Sequence, residues 1–256
     1  MIKKRLIGVI TVKDNLAVQS FGYNKYLPIG KPRILIKNLN RWGADEILIN
    51  VIDRSLNKLG PDFELLEEIN SLKLETPIIY SGGISNLKNA LETIKKGADR
   101  IIVESIIEDE FSEFKKISTV IGTQSLIISM PVIISLDNNI YIYNYKKKTT
   151  ERISNNFLNA IKQNLASEIL LIDSKNEGFQ DKFNLKILRK FPFKTIPAIC
   201  FGGISSNKKI NEILKHKFVS AVGVGNSLNY KEHALQNLKK KLSKKYFRQE
   251  YFTSDI

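Results

Sequence analysis

An α/β barrel of eight strands is the fold this sequence predicts, on three observations. The chain has 256 residues, the ordinary size of one such barrel. Short β-branched runs alternate with amphipathic helical stretches, the pattern of parallel βαβ units. The chain also repeats itself: Pro77-Ile-Ile-Tyr-Ser-Gly-Gly-Ile-Ser-Asn86 resembles Pro197-Ala-Ile-Cys-Phe-Gly-Gly-Ile-Ser-Ser206 at an offset of 120 residues. Glu46-Ile-Leu-Ile and Glu168-Ile-Leu-Leu repeat at an offset of 122. Two halves of four βα units each give a single (β/α)8 TIM barrel with a two-fold half-barrel repeat. An open doubly wound sheet would not need that symmetry.

The elements follow in order. Strands are expected near 5–11, 46–51, 77–80, 100–103, 125–132, 168–173, 197–201 and 220–224. Helices are expected near 31–42, 62–73, 86–96, 108–118, 153–165, 181–190, 205–216 and 230–245. Between the fifth strand and its helix, residues 132–150 alternate around Asp137-Asn138-Asn139 and read as an inserted hairpin. No linker or low-complexity stretch divides the chain, so residues 1–256 are expected to form one domain.

Composition removes several classes of function. No apolar run approaches the roughly 20 residues of a membrane span. The basic and then apolar start lacks the long apolar region and small-residue cleavage site of a signal peptide. A single cysteine, Cys200, excludes an internal disulfide and fits a reducing cytoplasm. The formal charge of +14 raises nucleic acid as a partner. The basic residues are spread along the chain and interleaved with acids, so solvated helix faces are the better reading. The richest run, Lys239-Lys240-Lys241 with Lys244-Lys245, falls on the last helix and is expected to be such a face.

Each repeat places a Gly-Gly pair directly after a buried strand and before a helix. Glycine permits close backbone approach to a ligand, and the helix start offers unpaired N–H groups and a positive dipole end. Together they bind phosphate. One corner combines Gly202, Gly203, Gly225 and Asn226; its symmetric partner combines Gly82, Gly83 and Ser105. Two such corners imply a ligand with phosphate at both ends. Glu104 sets a carboxylate beside the first corner, which makes the second the stronger site.

At these residues the sequence resembles the cyclase subunit family of imidazole glycerol phosphate synthase, over nearly its whole length. Lys4-Arg5-Leu6-Ile7, Val12-Lys13-Asp14, Glu46, Gly82-Gly83, Gly97-Ala98-Asp99, Gly122-Thr-Gln124, Glu168-Ile-Leu-Leu171 and Gly202-Gly203 fall in register with it. The resemblance implies a glutaminase docked on the N-terminal face of the barrel and ammonia passing through the core. The family's four-residue ammonia gate corresponds to Arg5, Glu46, Arg100 and Glu168, and a docking aspartate to Asp99. Read without the resemblance, those four charges are a salt-bridge network closing the barrel floor.

The other end departs from the family. Its two catalytic aspartates correspond to Thr11 and Pro131, neither able to act as acid or base, and a third carboxylate to Val51. In Ser174-Lys175-Asn176-Glu177-Gly178 only Glu177 keeps a family carboxylate, and the nearest other acid is Asp14. The pattern implies a divergent relative. Asn24-Lys25-Tyr26-Leu27 to Gly30-Lys31-Pro32 and Ile52-Asp53-Arg54-Ser55-Leu56-Asn57 are similar to a branch serving surface polysaccharides. There a barrel of this kind and a glutaminase assist a sugar amidotransferase. The expected partners are therefore a glutaminase, a sugar amidotransferase and a phosphorylated small molecule. Cyclisation in histidine biosynthesis and a non-catalytic scaffold are the alternatives. No metal-ligand spacing is present and no cofactor is implied. His216 and His233 are expected on outer helices, Cys200 as a buried thiol, Trp42 as packing or docking surface, and Lys13 as solvated or touching phosphate.

Overall fold

A computed structural model describes residues 3–229 and 234–249. Eight parallel strands form the barrel: β1 (Arg5–Lys13), β4 (Glu46–Val51), β5 (Ile78–Ser81), β6 (Arg100–Val103), β7 (Leu126–Ile134), β10 (Glu168–Asp173), β11 (Ala198–Phe201) and β12 (Val219–Val224). The strand order is β10-β11-β12-β1-β4-β5-β6-β7, and β7 pairs with β10 to close the sheet. The eight expected strands are these eight.

Two hairpins leave the C-terminal end of the barrel. One is formed by β8 (Ile140–Asn144) and β9 (Thr149–Glu151), which continue β7 antiparallel within the expected insertion. The other was not anticipated. Strand β1 runs past Thr11 into a turn at Asp14 and Asn15, both at positive φ, and returns as β2 (Leu16–Phe21) and β3 (Lys25–Gly30). Asp14-Asn15 tolerates the left-handed conformation that such a turn requires.

Period-two alternation divides the strand side chains between two cores. Ile7, Val9, Leu48, Ile102, Leu170 and Ile199 fill the barrel interior. Leu6, Ile10, Ile47, Ile101, Leu171 and Cys200 face outward to the helices. Those helices are α1 (Pro32–Arg41), α2 (Phe63–Asn70), α3 (Leu87–Lys95), α4 (Ile106–Asp109), α5 (Phe111–Ile121), α6 (Asn155–Lys162), α7 (Lys186–Lys190), α8 (Asn207–Leu214) and α9 (Ala234–Lys240). Their starts are written locally. The Leu65, Asn89, Phe157 and Lys209 N–H groups donate to the side chains of Asp62, Asn86, Ser154 and Ser206, and Pro32 opens α1. Gly8 lets α1 approach closely, since a Cβ there would sit 2.7 Å from Leu39 Cδ1.

Four expectations are corrected. The helix expected over 108–118 is broken at Glu110 into α4 and α5, and that over 181–190 shrinks to α7 because Asp173 holds the preceding loop through the Asn184 N–H at 2.8 Å. The charged face expected on the last helix is partly core. Lys239 is buried, with Nζ 2.9 Å from Asp45 Oδ1 and 2.7 Å from the Gly43 carbonyl. His216 lies beyond α8, edge-on to Phe218, and not on a helix; His233 falls outside the described residues. Trp42 caps α1 and packs against the core.

Candidate functional site

The floor of the barrel is a closed ring of four charges. Inward positions at the N-terminal ends of β1, β4, β6 and β10 carry Arg5, Glu46, Arg100 and Glu168, in alternating sign. Arg5 Nη1 lies 3.1 Å from Glu46 Oε2, and Arg5 Nη2 pairs with Glu168 Oε1. Arg100 Nη1 lies 3.3 Å from Glu46 Oε1, and Nη2 2.6 Å from Glu168 Oε2. Ser220 and Ser167 steady the ring, Ser220 Oγ donating to Glu168 and Arg100 Nη2 donating to Ser167 Oγ at 3.0 Å. Burial pushes the Glu46 carboxyl up, against the pull of both arginines. Burial acts on Glu168 too, but the arginines and Ser220 outweigh it and hold that carboxyl below its ordinary range. The arginine side chains keep 22% and 13% of their surface exposed, against 9% and 8% for the glutamates, so the arginines are the more solvent-accessible members of the ring. Above this ring the interior is lined by an apolar cluster that includes Ile7, Leu48, Ile102, Ile127, Leu170 and Ile199.

The docking candidate, Asp99, is exposed next to the ring. Its Oδ2 accepts from the Ile78 N–H at 2.7 Å, as Asp45 Oδ2 accepts from the Leu6 N–H at 2.7 Å. Both carboxylates stitch neighbouring strands.

At the opposite mouth, Thr11 and Pro131 are buried where the resemblance places the catalytic aspartates, and neither supplies an acid. At β4, Val51 packs in the outer core, and the neighbouring inward residue is Asn50. Asp14 is no substitute, because it sits in the exposed β1–β2 turn paired with Lys13, whose Nζ lies 5.5 Å from the Tyr26 ring centroid.

The mouth is instead filled by the tip of the β2–β3 hairpin. Tyr23 packs onto the interior cluster with a buried hydroxyl that faces Asn50, Glu177 and Glu104 and has no partner at hydrogen-bonding geometry. Glu177 holds the tip, accepting from Ser20 Oγ at 2.8 Å and from the Tyr23 N–H at 3.2 Å, while its carbonyl accepts from the Gly22 N–H. Burial raises the Glu177 carboxyl above its ordinary range. Glu104 points inward from the end of β6 and accepts from Ser129 Oγ at 2.7 Å; burial pushes its carboxyl up to about 7. Cys200 is buried among outer-core side chains and its thiol is pushed far up by that burial, so it is no nucleophile at neutral pH.

The two Gly-Gly corners differ. At the first, the Gly83 N–H donates to Ser55 Oγ at 2.9 Å, and the Tyr145 hydroxyl lies against Ser105 and Ser55. A Cβ on Gly83 would meet the Gly60 carbonyl at 2.1 Å, so the loop after β4 is folded tightly onto this corner. At the second, Gly203, Gly225, Asn226 and Ser227 border a cavity of about 320 Å3. Asn226 Nδ2 donates to the Ser20 carbonyl at 2.7 Å, tying the corner to the hairpin. Ser227 Oγ is buried without a partner. The Ser205 and Ser206 N–H groups, ahead of α8, donate to Asp181 at 3.1 and 2.8 Å.

Sequence reasoning missed Tyr23, Ser55, Asp181 and Tyr145. All four lie on loops or hairpins whose path no periodicity reports. The Gly22-Tyr23 step, with both residues at positive φ, was the available signal.

A closed parallel barrel with a charged floor and glycine-built corners at its C-terminal mouth defines the class: a single (β/α)8 barrel whose candidate ligand end is its C-terminal face. The chain belongs to the histidine biosynthesis protein family, which it matches over residues 5–234. It is 28% identical over 237 residues to a Vibrio vulnificus protein provisionally named imidazole glycerol phosphate synthase subunit hisF2, covering 91% of this chain and 86% of that one. It is 26% identical over 205 residues to imidazole glycerol phosphate synthase subunit HisF of a Thermotoga species, covering 79% and 80%. It is 26% identical over 246 residues to the subunit of that name from Staphylococcus epidermidis, covering 94% and 97%. No described helix is long and apolar enough to cross a membrane.

Proposed function

We propose that this chain is the barrel subunit of a glutamine-dependent amidotransferase system, receiving ammonia from a glutaminase docked on its floor, with Asp99 at the docking face. The observation that carries this reading is the closed Arg5–Glu46–Arg100–Glu168 ring set directly under an apolar interior. A hydrated cation is excluded from such a core by its desolvation cost, whereas neutral ammonia is not. The ring is the gate, and opening it requires one ion pair to part.

The ammonia acceptor in this reading is held by a separate sugar amidotransferase making acetamidino sugars for surface polysaccharide. Support comes from Thr11, Pro131 and Asn50 at the mouth, which leave the acid–base pair of a cyclase unfilled. Reconstitution with a glutaminase tests it. Glutamine-dependent product formation should fall at least tenfold on Glu46→Ala, while free ammonia still supports the acceptor enzyme. Unchanged coupling in that variant overturns the conduit.

A second reading is the cyclase of histidine biosynthesis itself, favoured by the family match and by the names of the relatives. Ammonia and the phosphoribulosyl substrate of that cyclase, supplied to the purified chain, distinguish the two. Formation of imidazole glycerol phosphate establishes the second reading and removes the first.

A further inference from the structure

Exposed apolar side chains are distributed unevenly over this molecule. Ten large ones are exposed among the described residues, and six of them, Leu16, Leu27, Leu56, Leu59, Leu136 and Phe179, lie on the hairpins and loops at the C-terminal end of the barrel. The other four are single: Ile34, Leu91 and Val120 on three different helices, and Tyr246 beside Lys4. Single exposed apolar residues are ordinary on a surface, whereas a group at one end marks an interaction site.

Five of the six sit on segments that are tied together. Leu16 pairs with Lys13 across the β1–β2 turn, and Leu27 with Gln19 across β2 and β3. The loop carrying Leu56 and Leu59 is joined to that turn, where the Asp14 N–H donates to Asp53 Oδ2 at 2.8 Å. Phe179 meets the hairpin through Phe21, with ring centroids 5.9 Å apart. These segments meet at the hairpin whose tip, Tyr23, fills the mouth.

The apolar residues have lysines of their own. Lys25 stands two residues from Leu27 on the same face of β3, Lys58 lies between Leu56 and Leu59, and Lys175 and Lys182 flank Phe179. All four are exposed, and among the described residues none of them forms an ion pair. The acids of the same segments are committed within the chain. Asp14 pairs with Lys13, Asp53 accepts from the Asp14 N–H, Glu177 holds the hairpin tip, and Asp181 accepts from Ser205 and Ser206. The charge left over around the apolar residues is positive.

We propose that the C-terminal face docks the ammonia acceptor, a partner enzyme whose contacting surface is apolar at its centre, against Leu27, Leu56, Leu59 and Phe179, and acidic at its rim, against the four lysines. This rests on the reading of the chain as an ammonia conduit and states where the ammonia leaves it. A conduit that opens into water loses ammonia by diffusion, and a covered mouth prevents that. A second copy fits poorly, because a two-fold contact sets the same lysines against each other in a chain of net charge +14. An anionic bilayer fits poorly too, because Glu108, Asp109 and Asp137 are exposed at the same end and a flat charged sheet meets them as well.

Leu56 and Leu59 each keep 56% of their surface exposed, so Leu56→Asp/Leu59→Asp removes apolar contact without opening the core. The experiment is sedimentation and calorimetry of the purified chain with the purified sugar amidotransferase of the same source. A one-to-one complex should form. Leu56→Asp/Leu59→Asp should weaken it at least about tenfold. Lys25→Glu/Lys58→Glu/Lys182→Glu should weaken it about tenfold and remove most of its salt dependence. Both variants should keep the thermal melt and bind the glutaminase as the unaltered chain does. Glutamine-dependent amidation should fall with the complex, while turnover on saturating ammonium chloride holds. No complex with the unaltered chain, or unchanged affinity in Leu56→Asp/Leu59→Asp, overturns the proposal. Self-association of the chain that this variant abolishes assigns the face to a second copy, and binding to phosphatidylglycerol vesicles that it abolishes assigns the face to lipid; either also overturns it. Glu46→Ala reads the conduit separately, since it should keep the complex and lose the coupling. Coupling that survives Glu46→Ala sinks the conduit, whereas a complex that survives the paired aspartates sinks only the docking face.

Discussion

Arg100 and Glu104 stand at opposite ends of the barrel on the same inward row of β6 and its extension, with Ile102 between them. The lower residue is neutralised by Glu46 and Glu168. The upper has only the Ser129 hydroxyl as a hydrogen-bond partner and a distant attraction from Lys146. One strand face thus carries a balanced charge at the floor and an unbalanced acid at the mouth.

That imbalance gives a pH dependence. The Glu104 carboxyl titrates at about 7 in the folded chain and near 4.3 when unfolded. Between those values the folded state keeps a proton that the unfolded chain has lost, so stability falls as pH rises through this window. The loss from this group amounts to about 3 kcal/mol. Glu104→Gln should be close to neutral at pH 5 and stabilising at pH 8, as read by urea melts at both. Equal effects at the two pH values would refute the assignment.

Glu168→Ala leaves Arg5 and Arg100 short of their nearer carboxylate. The expected loss is about 2–3 kcal/mol, the low end for a broken buried pair, since both arginines keep an edge to solvent. Chemical denaturation measures it. A loss under about 0.5 kcal/mol would mean that the ring behaves as an ordinary surface network.

Tyr23 separates polar from packing effects. Tyr23→Phe removes a buried hydroxyl without a partner and should raise stability by about 1 kcal/mol. Tyr23→Ala empties the mouth and should cost about 3–5 kcal/mol. A destabilising Tyr23→Phe would show that the hydroxyl has a bonded partner.

Lys239→Ala strands the buried Asp45 carboxylate, which Leu6 N–H alone then neutralises in part. A loss of about 3 kcal/mol is expected, with hydrogen exchange rising in α9 before the barrel strands. Uniform exchange across the chain would contradict a local role for the pair.

The barrel was legible because its information is periodic. Runs such as Glu168–Asp173 and the glycine repeat fix strands, order and symmetry, and inward parity then places Arg5, Glu46, Arg100 and Glu168 together. What stayed illegible is carried by loops. The β2–β3 hairpin reads in sequence as a helix-free gap, and its tip residue Tyr23 reaches the mouth only because Glu177, far along the chain, accepts its N–H. The fate of the first corner turned on Ser55 and Tyr145, which no spacing links to Gly83. The burial of Lys239 depended on Asp45, a partner on another unit of the barrel.

Closing the sheet also has a colloidal consequence. A closed barrel offers no strand edge to another chain, so among the described residues such edges remain on the outer strands of the two hairpins, β3 and β9. Strand β3 carries a charge at Lys25 and lacks an amide proton at Pro28, and β9 has three residues with Glu151 at its end. Both are poor templates for strand addition. The insertions that cover the mouth therefore reach into solvent without inviting aggregation.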